Sequence, residues 1–190
     1  MLGLIVLAKP MLMVLFMRGE FSPHDVQQAS MSLVAYASGL LNFMLIKVLA
    51  PGYYSRQDTK TPVKYGIIAM VTNMVFNAIF AYFYGYVGLA IATALSAFVN
   101  MALLYRGLHL AGVYHLTRTT LVFSAKLLVA GGVMVSAIWW QLESMDQWLT
   151  WSFSHRAMML TGLIGLGAVA YVLAVLALGV RVKHLKAATD

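Results

Sequence analysis

KVLAPGYYSRQDTKTPVK, residues 47–64, lies between two long apolar runs and packs two prolines, two tyrosines and five charged side chains into one short stretch. Charged side chains rarely stay in hydrocarbon, so if the flanking runs are membrane helices this stretch sits at a water interface and sets the register of the spans on either side. Pro51-Gly52 predicts the end of the preceding helix, and Thr61-Pro62 the start of the next. Between them the chain reads as a loop.

Working outward, a span covers about 27–50 upstream, introduced by the polar MRGEFSPHD at 17–25, where Ser22-Pro23 and Asp25 form a helix-start signal. Before it, residues 1–17 are apolar but short for a crossing and are interrupted by Lys9-Pro10. Downstream come a span at 65–84, a tight turn YGYVG at 84–88 and a span at 87–105, together a membrane hairpin. The link RGLHLAGVYHLTRT at 106–119 leads to a span at 120–141, the link ESMDQWLTWSFSHR at 143–156 to a last span at 157–180, and RVKHLKAATD leaves the membrane. The start, MLGLIVLAKP, lacks a basic leader and a small-residue cleavage pattern. Opening inside an apolar run, it suggests the later part of a longer protein.

Composition supports this division. Of the 190 residues 62% are hydrophobic and only 10% charged, with a mean hydropathy of +0.82, far from a soluble domain. A crossing helix needs about 20 apolar residues, so the chain holds roughly six. The long unbroken runs lack the period-two alternation of a membrane β-barrel. The expected fold is all-α and polytopic. With no cysteine there is no disulfide, thiolate metal site or cysteine nucleophile. The formal charge of +7 comes in small groups at the edges of apolar runs, which points to anionic lipid headgroups and not to nucleic acid.

Counted by alternating faces, Arg56, Lys60, Lys64, Arg106, Arg118, Arg181, Lys183 and Lys186 fall on one side. The other side has Arg18 and Arg156 beside Glu20, Asp25, Glu143 and Asp146. The positive-inside rule makes the first side, with the C-terminus, cytoplasmic. Tyr53 and Tyr54 suit an aromatic belt at that interface, and Trp139, Trp140, Trp148 and Trp151 a belt at the opposite one.

Few residues suggest chemistry. The histidines, His24, His109, His115, His155 and His184, are scattered over different links without metal-ligand spacing. No span carries a carboxylate and no nucleophile has a base and orienter nearby, so neither an acid pair nor a hydrolase triad is legible. What stands out is polar residues at helical spacing: Asn73 and Asn77 on one span, and Thr93, Ser96 and Asn100 on the next. They either hydrogen-bond between helices or line a polar transport cavity. Lys47, about one turn before Pro51, either snorkels to the interface or points into a cavity where it would meet an anion. Gly131, Gly132, Gly162, Gly165 and Gly167 allow close helix packing or leave a shallow groove for a lipid chain.

LFMRGEF at 15–21, SLVAYASGL at 32–40 and above all KVLAPGYYSRQDTKTPVK closely resemble the MurJ (MviN) family of bacterial lipid II flippases. The resemblance implies a partial fold of the multidrug/oligosaccharidyl-lipid/polysaccharide (MOP) exporter superfamily: residues 1–106 as the last four helices of a second lobe, 107–180 as two extra helices beside a groove for the polyprenyl tail, and 181–190 as a cytoplasmic basic tail. It implies a transporter rather than an enzyme, without cofactor, in the bacterial inner membrane. Such a protein would carry lipid II, the undecaprenyl-diphosphate-linked peptidoglycan precursor, from the cytoplasmic to the periplasmic leaflet by alternating access, in contact with membrane lipids and with the peptidoglycan synthesis machinery. Arg56, Asp58, Lys60 and Lys64 would lie in a cytoplasmic loop, with Arg56 and Asp58 forming a gate pair, a structural clamp or a plain anchor. A lone partial lobe could not enclose the head group, so the chain by itself is expected not to flip lipid. The rival readings are a related exporter of drugs or of another lipid-linked oligosaccharide, and a membrane scaffold for cell-wall enzymes.

Overall fold

The computed structural model describes residues 1–17, 22–113, 117–142 and 144–179. Arg18, Glu20, His115, Glu143, the later half of LFMRGEF and the basic tail with Arg181, Lys183, His184 and Lys186 lie outside the described residues, as does the side chain of Asp146. All regular structure among the described residues is helical: α1 (Leu2–Val6), α2 (Ala8–Phe16), α3 (Pro23–Tyr54), α4 (Lys60–Leu110), α5 (Arg118–Gln141), α6 (Met145–Thr150) and α7 (Phe153–Ala177). They form two compact units, one built on α3 and α4 with most of α1, the other on α5, α6 and α7 with most of α2.

Four helices, α3, α4, α5 and α7, are long and apolar enough to cross a membrane. One of them, α4, has 51 residues and folds back on itself at Gly85 (φ 56°, ψ −134°), so five crossings are described where six were expected. The difference lies in the first run, which divides at Leu7 into helices of 5 and 9 residues. Pro10 falls in the first turn of α2, where its missing N–H would have had no intrahelical acceptor.

In the first unit α3 begins as its sequence predicts. Ser22 Oγ accepts from the Asp25 N–H (3.3 Å) and Asp25 Oδ2 accepts from the Ser22 N–H (2.9 Å), a capping box with Pro23 at the first helical position. Its other end corrects the reading of Pro51-Gly52 as a stop, because α3 runs through both to Tyr54. A proline removes only one hydrogen bond, here the one to the Lys47 carbonyl, and packing of the next turn outweighs that loss. Gly52 lies against Leu108, and Tyr53 is buried with Leu49, Leu104 and Leu108.

The hairpin of α4 needs its glycines. Gly85 takes a backbone conformation open only to glycine, and a Cβ on Gly88 would collide with the carbonyl oxygen of Phe80 on the opposing arm. α3 packs on the second arm through Gly39, where a Cβ would stand 2.9 Å from Ala94 Cα. Three crossings thus run alternately up and down, with the 55–59 loop and both ends of α4 at one end and the Gly85 tip at the other.

Tyr53 is a second correction. It is not part of an interfacial belt: only 5% exposed, it donates its hydroxyl proton to the Leu104 carbonyl (2.8 Å), with Tyr65 edge-on at 6.4 Å. Its neighbour Tyr54 is exposed.

In the second unit α5 starts on Thr117, whose Oγ1 accepts from the Thr120 N–H (3.3 Å), and pairs with α7, Ile138 reaching Gly167. The short α6 sits in the link between them. Trp139 and Trp140 are exposed, but Trp148 on α6 is 1% exposed and packs against Trp151 at 5.3 Å. Burial of its large ring outweighs what the indole would gain at the headgroups.

A polar groove at Lys47

The three crossings of the first unit border an open groove of about 430 Å³, lined by Phe43, Ile46 and Lys47 of α3, Gly66, Ala69, Met70 and Asn73 of the first arm of α4, and Thr93, Ser96, Ala97 and Asn100 of the second. Helical spacing explains the lining. Phe43, Ile46 and Lys47 share a face, as do Gly66, Ala69 and Asn73, and as do Thr93, Ser96 and Asn100. Gly66 and Ala69 make room by their size, a signal present in the sequence as small residues on the face of Asn73.

A polar seam crosses the groove between the arms. Asn77 Nδ2 donates to Asn73 Oδ1 (3.0 Å), Asn73 Nδ2 to Ser96 Oγ (3.2 Å), and Ser96 Oγ to the Thr93 carbonyl (3.0 Å). Thr93 Oγ1 donates back to the Leu89 carbonyl (2.8 Å). One bond, Asn73 Nδ2 to Ser96 Oγ, joins the two arms; Asn73, Thr93, Ser96 and Asn100 line the groove and Asn77 does not. The buried oxygens Asn77 Oδ1 and Asn100 Oδ1 have no hydrogen-bond partner, so the seam keeps unused acceptor capacity.

Lys47 stands about two turns before the end of α3, on the groove wall and exposed. The acids described in this unit, Asp25 and Asp58, lie at its two ends. The groove thus sets one exposed ammonium beside amides and hydroxyls on a mostly apolar wall, the ammonium open to an anion and the free amide oxygens to a hydrogen-bond donor, with no nucleophile–base pair among its lining.

The loop residues sit apart from the groove. Arg56, Lys60 and Lys64 are exposed. Asp58 Oδ1 accepts from the Thr61 N–H (3.0 Å) and so caps α4. Hydrogen bonds from Thr61 hold its carboxyl below the ordinary aspartate range, and nearby Arg56 adds the least. The turn is closed by Gln57 N–H on the Tyr54 carbonyl (2.9 Å) and Asp58 N–H on the Tyr53 carbonyl (3.1 Å), a Schellman motif with Gln57 at φ 60° where glycine is usual.

The five glycines of the second unit are not brought to one seam. Gly167 faces Ile138 and Met134, and Gly131 faces Leu2; Gly132, Gly162 and Gly165 are exposed with open space around them.

Four helices long and apolar enough to cross a membrane define a multi-pass helical membrane protein. A sequence profile described as "Lipid II flippase MurJ" matches residues 1–159, and the chain belongs to that family. It is 73% identical over 190 residues to the "Probable lipid II flippase MurJ" of Vibrio cholerae, covering 100% of this chain and 36% of that protein. With the protein of the same description from Haemophilus influenzae it shares 54% over 184 residues, covering 97% and 36%. The chain thus spans about a third of the length of these curated relatives. A solved structure, "Lipid II flippase MurJ, inward closed conformation", superposes with a TM-score of 0.70 at 21% identity, covering 91% of this chain and 34% of that one, a likeness of fold.

Proposed function

We propose that the chain forms part of a lipid II flippase, in which it supplies a polar, cationic wall to the path of a lipid-linked head group. The observation that carries this reading is the groove, with Lys47 beside Asn73, Thr93, Ser96 and Asn100. A diphosphate-sugar head crosses hydrocarbon only at steep desolvation cost, which a recess offering a cation and hydrogen-bonding groups offsets, while the polyprenyl tail stays in lipid. Rocking of two lobes about such a recess exposes it first to one leaflet and then to the other.

In this reading residues 1–106 belong to the second lobe, 107–180 give two helices beside which the tail runs, and 181–190 form a basic tail. The end bearing Arg56, Lys60 and Lys64 faces the cytoplasm of a bacterial inner membrane. Transport is from the cytoplasmic to the periplasmic leaflet, near the machinery of peptidoglycan synthesis.

The test is a chimera in which this chain replaces the matching segment of the Vibrio cholerae relative, reconstituted in vesicles and assayed for lipid II translocation. The chimera flips lipid II, Lys47→Met lowers the rate by about tenfold, as loss of one charge-assisted contact predicts, and Lys47→Arg keeps most of it. An inactive chimera that is folded, or a Lys47→Met variant of unchanged rate, overturns the reading. The 190-residue chain alone gives no translocation.

A further inference from the structure

At the loop end of the first unit Arg56, Lys60, Lys64 and Arg106 are all exposed, four cations against the single carboxylate of Asp58, whose Oδ1 already serves the Thr61 N–H. Lys60 and Lys64 are one turn apart on one face of α4. Around them the surface is apolar: Val48 on α3 and Val63 and Ile67 on α4 are exposed, as is Tyr54. Lys64 lies inside the first turns of a crossing helix, so its stem runs along hydrocarbon and its ammonium emerges at the level of the headgroups. The opposite end, with Asp25, Gln28, Tyr84 and Tyr86, has no lysine or arginine among its described residues.

We propose that Arg56, Lys60 and Lys64 form a docking surface for the headgroup phosphates of anionic phospholipids. Three features select this occupant. The charge is complementary and unspent. The cations stand at the start of a crossing helix beside exposed apolar side chains, a pairing that fits a lipid's headgroup and chains better than a soluble acidic partner. The surface is rigid: the Schellman turn fixes Arg56 against α3, and the Tyr53 bond to Leu104 ties that turn to the far arm of α4. Side chains held on a fixed turn and a helix lose less entropy on binding than they would on a free loop. The lipid held here is distinct from any transported one, because the groove at Lys47 is lined by none of these three residues.

The test is native mass spectrometry of the full 190-residue chain released from bilayers of equal phosphatidylglycerol and phosphatidylcholine. The chain retains phosphatidylglycerol in preference, by about fivefold for each cation engaged. Arg56→Gln/Lys60→Gln/Lys64→Gln abolishes the preference, Lys60→Arg/Lys64→Arg preserves it, and Lys126→Gln, on α5, leaves it unchanged. Equal retention of both lipids by the native chain, an unchanged preference in the neutralised variant, or loss in the charge-preserving one overturns the proposal. So does displacement of the retained lipid by inorganic phosphate, which would make free phosphate the ligand. Since nothing is transported in this measurement, its outcome is independent of the flippase reading.

Discussion

Gln57 carries a conformation that suits glycine, at φ 60°. The turn tolerates it because the hydrogen bonds of Gln57 and Asp58 to the carbonyls of Tyr54 and Tyr53 close the end of α3. Gln57→Gly therefore stabilises the chain by up to about 1 kcal/mol, read as a higher midpoint of unfolding in detergent. Next to it Asp58 gives a pH dependence of known sign. Hydrogen bonds from Thr61 lower its folded pKa below the ordinary 3.8, so its contribution is complete above that value and is lost as pH falls through the lower, folded one. Asp58→Ala lowers the thermal midpoint at neutral pH and flattens the stability profile below pH 3.8, a loss that Asp58→Asn only partly reproduces if its amide oxygen still accepts from Thr61.

At the scale of elements the hairpin and the Tyr53 latch are the parts most sensitive to single atoms. Gly88→Ala drives a methyl into the Phe80 carbonyl and costs at least about 2 kcal/mol, because backbone and not a flexible side chain is in the way. Tyr53→Phe loses one buried hydrogen bond, about 1 kcal/mol. A Cβ on Gly107 would collide with the Tyr53 hydroxyl, so Gly107→Ala destabilises strongly in the native background and less beside Tyr53→Phe. That coupling is measurable in a double-mutant cycle by denaturant titration in micelles. These same elements mark where sequence reading works and where it stops. Ser22, Pro23 and Asp25 start α3 as local rules require, and the YGYVG turn divides α4 at Gly85, because caps and turns are local chemistry. Tyr53 and Trp148 read as interfacial because an amphipathic ring next to a polar link looks the same whether it faces headgroups or another helix. Pro51 reads as a stop because the packing of Gly52 and Tyr53 that carries α3 past it comes from residues more than fifty positions away.

For the whole molecule the same distinction governs the groove. Asn73, Asn77, Thr93, Ser96 and Asn100 are legible as polar stripes, and Lys47 as a cation within a span, but only the hairpin and the packing of Gly39 on Ala94 bring all of these except Asn77 to one groove. Phe43, Ile46 and Met70 complete its lining and carry no sequence signal, since an apolar residue on a lipid-exposed helix has the same composition on either face. The absence of cysteine makes the arrangement testable: in intact cells a membrane-impermeant maleimide labels Tyr86→Cys from outside and reaches Ser55→Cys only after permeabilisation. Labelling of both from one side would contradict the alternating path of α3 and α4. Pro51 bears on how such a bundle moves. An ordinary helix bends by stretching a hydrogen bond, but the Lys47 carbonyl has no amide proton one turn ahead to stretch from. Flexing at that level is therefore inexpensive, and it would tilt the wall that carries the ammonium while the clamped turn beyond it stays still.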